Sequence, residues 1–269
     1  MQHRILIASV AVMAIIFLSG CDIINGRDVS VSDTISADMA AIGQISITDA
    51  SISATEAKIA MIEGAHAISL TNTALIGAEE WGVMIYQRTS GGITGLIGSF
   101  TMSGGSLTAQ NGPVFYVTNS TGVINLRGVS LSSASGTLLD TSAGNWGESD
   151  TNGGHAILTA DHQALSGNVL VDASSTAAIT LKNESSLYGA INTAHTAEEA
   201  SLILDATSTW IVTGDSYLTV LSDSAGIDGS SMRNIIGNGH TVYYAAAANP
   251  DLAGATYTLS GGGTLTPAK

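Results

Sequence analysis

Read for the positions of its apolar residues, the chain repeats one short phrase: apolar, polar, apolar, a few small or polar residues, then Ser, Thr or similar, then apolar. It occurs as Ile45-Ser46-Ile47-Thr48-Asp49-Ala50-Ser51-Ile52 and as Ile68-Ser69-Leu70-Thr71-Asn72-Thr73-Ala74-Leu75. Further copies begin at Phe100 and Ile124, looser ones at Ile157, Ile179 and Leu202, and another runs from Tyr257 to Leu265. Alternation with period two is the pattern of a strand with one buried face, so the first and third residues of each copy point the same way. The small residues then turn a corner, where glycine permits positive φ, and the last apolar residue returns to the core.

The starts at 45, 68, 100, 124, 157, 179 and 202 are separated by 23, 32, 24, 33, 22 and 23 residues. Four of these six gaps are 22–24, and two are longer by about ten. A fixed period of this length is what stacked repeats produce, each burying its apolar face against the next. The expectation is an all-β fold: a single-stranded right-handed parallel β-helix, or β-solenoid, with coils of about 22–24 residues and two longer loop insertions. Right-handedness is a base-rate choice, because spacing carries no information about hand. An antiparallel sandwich or barrel also alternates, but does not require equal spacing.

Both long gaps follow the same phrase, two coils apart. At about 4.8 Å per coil, their insertions would emerge on one side roughly 10 Å from each other. The first, about 76–99, holds Glu79, Glu80, Trp81, Tyr86 and Arg88. The second, about 132–156, holds Trp146, Glu148, Asp150 and His155, with Asp140 and Asn152. Loops carried on one face of a repeat protein often bind partners, and aromatics beside carboxylates suit a glycan or protein ligand. Equally, Trp81 and Trp146 can simply cover the edge of the stack.

Composition narrows the classes. Only 11% of residues are charged, with 8 basic against 22 acidic, a net charge of −14. So acidic a surface repels phosphate backbones, and no nucleic-acid partner is expected. Recurrent Ile, Leu and Val supply apolar surface to bury, while the scarcity of Glu, Lys and Arg argues against solvated helix faces.

The N-terminus sets an expected compartment. Arg4 precedes an apolar run from Ile5 to Leu18, a signal-peptide layout too short for a stop-transfer helix. Leu18-Ser19-Gly20-Cys21 then resembles the lipobox of bacterial lipoproteins, and Cys21 is the chain's one cysteine. The resemblance implies export, cleavage before Cys21 and membrane anchoring through a lipid on Cys21, on the periplasmic or cell-surface side. The expected organisation is a signal peptide at 1–20, a lipidated tether and N-terminal cap at 21–40, coils at 41–221, and terminal coils with a C-terminal cap at 222–269.

The repeats themselves resemble the coils of right-handed parallel β-helix proteins, especially the Gly-, Ser-, Thr- and Asn-rich passenger regions of autotransporters and related adhesins, over roughly 30–220. That resemblance implies a non-enzymatic surface protein used for adhesion or structural contact. The chain departs from autotransporters in ending at Thr264–Lys269 without long amphipathic barrel strands.

The alternative is a carbohydrate-active β-helix enzyme, of polysaccharide lyase or glycoside hydrolase type, working between the insertions. Support is thin: adjacent acids such as Glu79-Glu80 and Glu198-Glu199 point to opposite faces of an extended strand, and Arg88 is the one basic residue in an insertion. Neither a cofactor nor a metal is expected. Asp161, His162 and His155 lack metal-ligand spacing, and no phosphate loop or nucleophile elbow occurs.

Overall fold

A computed structural model of the chain describes residues 43–54, 59–77, 79–88, 95–149 and 151–269, together with the backbone of short strands between 16 and 37. The described residues contain no α-helix; short 3-10 segments at Ser224–Gly226, Ala246–Ala248 and Pro250–Leu252 interrupt an otherwise β structure. The strands form three sheets of twelve, seven and nine members, here named the long, early and late sheets. Nearly all pairing is parallel, and neighbours in a sheet come from successive repeats rather than from adjacent strands in sequence.

The register follows the repeated phrase. In the long sheet Ile45 lies beside Ile68, Ile68 beside Phe100, and Phe100 beside Ile124. The row continues through Leu158, Ile179 and Leu202 to Leu221. A second row two residues on runs from Ile47 through Leu70, Met102 and Leu126, and both rows are buried. The copy expected to start at Ile157 is out of phase by one. Leu158 takes the inward position and Ile157 points to solvent, 45% exposed. The spacings around it therefore become 34 residues (124 to 158) and 21 (158 to 179).

After each pair of inward residues the backbone bends through the left-handed region, at Asp49, Asn72, Gly104, Gly128, His162 and Asn183, with φ between 47° and 66°. Asn, Asp and Gly tolerate this conformation best, which explains their recurrence at that point of the phrase. Asn72 Nδ2 also donates to Asp49 Oδ1 of the preceding repeat, at 3.2 Å. Beyond the bend a second leg begins. Gly105 is required there: its φ is +77°, and a Cβ would lie 2.1 Å from the Thr73 carbonyl oxygen.

The second leg places Ile52, Leu75 and Leu107 in another buried row. A third leg supplies the early sheet, whose strands include Ala60–Glu63, Val83–Tyr86, Phe115–Thr118, Thr137–Thr141 and Asn168–Val171. Phe100 on the long sheet meets Phe115 on the early sheet across the interior, with ring centroids 5.7 Å apart. From Ala164–Ser166 onward the second leg passes into the late sheet, where Trp210 is fully buried and donates Nε1–H to the Gly189 carbonyl at 2.9 Å.

The last copy of the phrase behaves differently. Tyr257–Ser260 and Thr264–Pro267 fold back on each other antiparallel, Tyr257 beside Leu265, while each also pairs in parallel with an earlier strand. Gly261, Gly262 and Gly263 all have positive φ and make the reversal. The final strand of the long sheet, Val220–Ser222, is closed by a side chain. Asn249 accepts from Leu221 N–H at 2.7 Å and donates to the Thr219 and Ala245 carbonyls, taking the place of a further strand.

Candidate functional site

On the early sheet, Ile62, Ile85 and Val117 point inward. The alternate residues face out in two rows: Met61, Met84, Tyr116, Asp140 and Leu170, and beside them Glu63, Tyr86 and Thr118. Large side chains so placed need a cover, and the chain provides one. Trp81, Met84 and Tyr86 form a second apolar cluster outside the main core, with Met61, Tyr116 and Trp146 packed against it. Trp81 sits 5.2 Å from Tyr116 and Tyr86 sits 5.0 Å from Trp146, both tilted. Trp81 is 8% exposed, and Trp146 is half-buried.

The extra residues leave the repeat at a narrower place than the spacing implied. They lie between an early-sheet strand and the next long-sheet strand, at 87–96 and 142–153, where the repeat between them has only Asn119. Trp81 and Tyr86 thus belong to the regular part of the coil, and Trp146 and Glu148 to the second inserted segment. Residues 89–94 and Asp150 lie outside the described residues, as does Cys21.

Asn119 ties the two inserted segments together. Its Nδ2 donates to the Gln87 carbonyl at 2.6 Å, and its backbone N–H donates to the Asn152 carbonyl at 2.9 Å. Asn119 itself has φ 47°. Gly147 crosses so close that a Cβ there would lie 2.4 Å from Asn119 Oδ1. Asn152 closes the second segment by donating to the Gly144 and Trp146 carbonyls, at 2.7 and 2.8 Å. Asn152 lay among the residues noted in the second insertion, whereas Asn119 did not stand out, because Asn recurs throughout a chain of this composition; it becomes visible only as the shortest link between two strands.

Charge on this face is tightly held. Tyr86 Oη donates to Glu63 Oε2 at 3.3 Å and accepts from Arg88 Nη2 at 3.2 Å, with Arg88 and Glu63 also paired at 3.5 Å. Burial pushes the Tyr86 hydroxyl up, partly offset by the Arg88 hydrogen bond. Asp140 is raised, first by burial and further by the nearby Asp172 carboxylate. Asp172 is also pushed up by burial, but hydrogen bonds from Ser175, Ala143 N–H and Ser174 outweigh this and hold it below the usual carboxylate range.

Of the residues singled out in sequence, Trp81, Tyr86, Arg88 and Trp146 are therefore gathered on this face. Glu79, Glu80 and Glu148 are exposed in the connections beside it. His155 is not there: it lies on the outer side of the long sheet, its Nδ1 3.1 Å from Thr176 Oγ1. The arrangement is a half-exposed aromatic ring, Trp146, set in a rigid, hydrogen-bonded frame, which suits ring stacking against a sugar or an apolar side chain. Scans against protein-family models, curated proteins and solved structures returned no match for this chain.

Proposed function

We propose that this chain is an exported bacterial lipoprotein, held to a membrane through Cys21, and that its mature part winds as a single right-handed parallel β-helix. We read it as non-enzymatic, presenting its coils in the cell envelope for adhesion or structural contact, with the aromatic face around Trp146 as the place for a glycan or protein ligand. The observation that carries the reading is the unbroken parallel register from Ile45 to Leu221, with Trp81 and Trp146 joined in one cluster on an outer face. A scaffold whose neighbours satisfy its backbone hydrogen bonds leaves its outer side chains available for recognition. The lipobox-like Leu18-Ser19-Gly20-Cys21 supports the anchor. Among the described residues no helix is long and apolar enough to cross a membrane.

Two experiments test it. Metabolic labelling with a radioactive fatty acid, followed by membrane fractionation, should find label on the wild type and neither label nor membrane retention in Cys21→Ala; equal retention would sink the anchor. Glycan and envelope-protein arrays probed with wild type and a Trp81→Ala, Trp146→Ala double variant should lose their hits in the variant. New reducing ends or unsaturated sugars on incubation with polysaccharides would replace the binding role with an enzymatic one.

A further inference from the structure

The parallel register extends back to the residue next to Cys21. Asp22 lies beside Ile45 as Ile45 lies beside Ile68, a step of 23 residues each time (22 to 45 to 68). The second leg follows, with Asp28 beside Ser51 and Ser51 beside Ala74. So does the third, with Ile35 beside Ala60 and Ala60 beside Val83. The backbone of 22–37 therefore has the three legs of a coil. Among the described residues ahead of Cys21, Ile16–Phe17 pairs with Ile35–Ser36, and cleavage before Cys21 removes that pair.

We propose that the mature protein has no flexible tether: the lipid on Cys21 seats this first coil directly on the bilayer surface, and the stack rises from it. The inference rests on the lipid anchor proposed above and adds where the body sits. One peptide link, about 3.8 Å between Cα atoms, joins the lipidated residue to the first paired one. A Gly/Ser-like linker of about twenty residues would instead allow excursions of about 25 Å.

Two features set the tilt. After cleavage the first coil is the open end of the stack. Its strands carry a row of unpaired N–H and C=O groups, for which the hydrated headgroup layer supplies partners. The corner of the stack continuous with Cys21, where the third leg passes into the long sheet, carries Glu148, Glu198 and Glu199, all exposed. Lying down on that corner would press these carboxylates against an anionic leaflet, in a protein of net charge −14. Asp22 and Asp28 stay near the headgroups in either orientation, so the flank decides, and the stack stands upright.

Height then follows from strand order, at about 4.8 Å per coil. Trp81 belongs to the third coil, and Trp146 reaches back to Tyr86 of that coil, which puts both about 10 Å above the first. Trp210 follows the eighth strand of the long sheet, Glu199–Leu204, about 34 Å up. The aromatic face around Trp146 thus meets its ligand close to the membrane.

Energy transfer from tryptophan tests this, using the lipidated protein purified from membranes and incorporated into phosphatidylcholine–phosphatidylglycerol vesicles with a dansyl acceptor on the headgroups. Trp210→Phe, which keeps the two low tryptophans, should transfer several-fold more efficiently than Trp81→Phe with Trp146→Phe, which keeps the high one. A flexible Gly/Ser segment of about twenty residues inserted after Cys21 should remove most of that difference. Circular dichroism checks folding; should a tryptophan variant not fold, wild type with and without the inserted segment still reads the seating, as a several-fold loss of transfer. Protein that does not float with the vesicles fails the anchor itself. Protein that floats but transfers equally from both heights, or is unmoved by the inserted segment, overturns the seating alone.

Discussion

Asp223 offers a direct test of the packing near the C-terminal end. Its residue is 2% exposed, and it caps the 3-10 segment Ser224–Gly226. Oδ1 accepts from Asn234 Nδ2 at 2.9 Å and from Gly226 N–H at 3.1 Å, while Oδ2 is buried without a hydrogen-bond partner. Burial penalises the ionised form more than those two donors favour it, and the carboxyl is raised from 3.8 to about 6. The folded state therefore holds the proton more tightly than the unfolded chain. That contribution to stability is complete below the unfolded value of 3.8 and is lost as pH rises through about 6. The difference of about two units corresponds to a ceiling of about 3 kcal/mol, and water reaching the site brings the expected loss to about 1–3 kcal/mol between pH 4 and 7.

The perturbation is Asp223→Asn, which keeps the acceptor for Gly226 and Asn234 and removes the titration. Its unmatched amide costs stability equally at every pH, so the informative quantity is the pH dependence of the difference from wild type. Urea midpoints at pH 4, 5, 6 and 7 measure it. Carboxylates elsewhere cancel in that difference because they are distant and unchanged. Asp172 and Asp205, both held below the usual range, act with the opposite sign and at lower pH, losing their contribution only as pH falls below 3.8. Wild type should be the more stable protein at pH 4 and should lose that advantage by pH 7. A difference that stays flat from pH 4 to 7 refutes the reasoning.

Three other outcomes follow from the packing. Gln163 is 1% exposed and bonds both backbone groups of Val129, at 2.6 and 2.8 Å; Gln163→Ala should cost about 2–4 kcal/mol by urea unfolding, because two buried polar groups lose their partner. Phe115→Ala removes a fully buried ring packed on Phe100 and should cost about 3–5 kcal/mol, whereas Ile157→Ala on the outer face should change the midpoint little. Asn119→Gly keeps the left-handed backbone and the backbone bond to Asn152 but removes the side-chain bond to Gln87, so limited proteolysis should cut beside Gln87 faster than in wild type, and equal rates would show that the Asn119 side chain does not tether the first inserted segment.

The alternating phrase determined which residues face inward, because strand geometry sends successive side chains to opposite sides whatever lies around them. Ile45, Ile68, Phe100 and Ile124 are buried as their spacing required, and Asp49 and Asn72 stand where the backbone turns left-handed. Around Ile157 both Ile157 and Leu158 are apolar, so local pattern could not choose the phase; pairing with Ile124 on one side and Ile179 on the other settled it. Tyr257 to Leu265 repeats the same phrase and likewise turns Tyr257, Leu259 and Leu265 inward, yet it is a hairpin. Its three consecutive glycines permit a full reversal, and whether a turn stacks the next strand or doubles back depends on which partner edge is open. The gathering of Trp81, Tyr86 and Trp146, and the separation of His155 from them, likewise had no local sign. Residues sixty positions apart meet only because the register stacks their coils with one coil between and the second inserted segment reaches back across it, and register is a property of the stacked sheets rather than of any one segment.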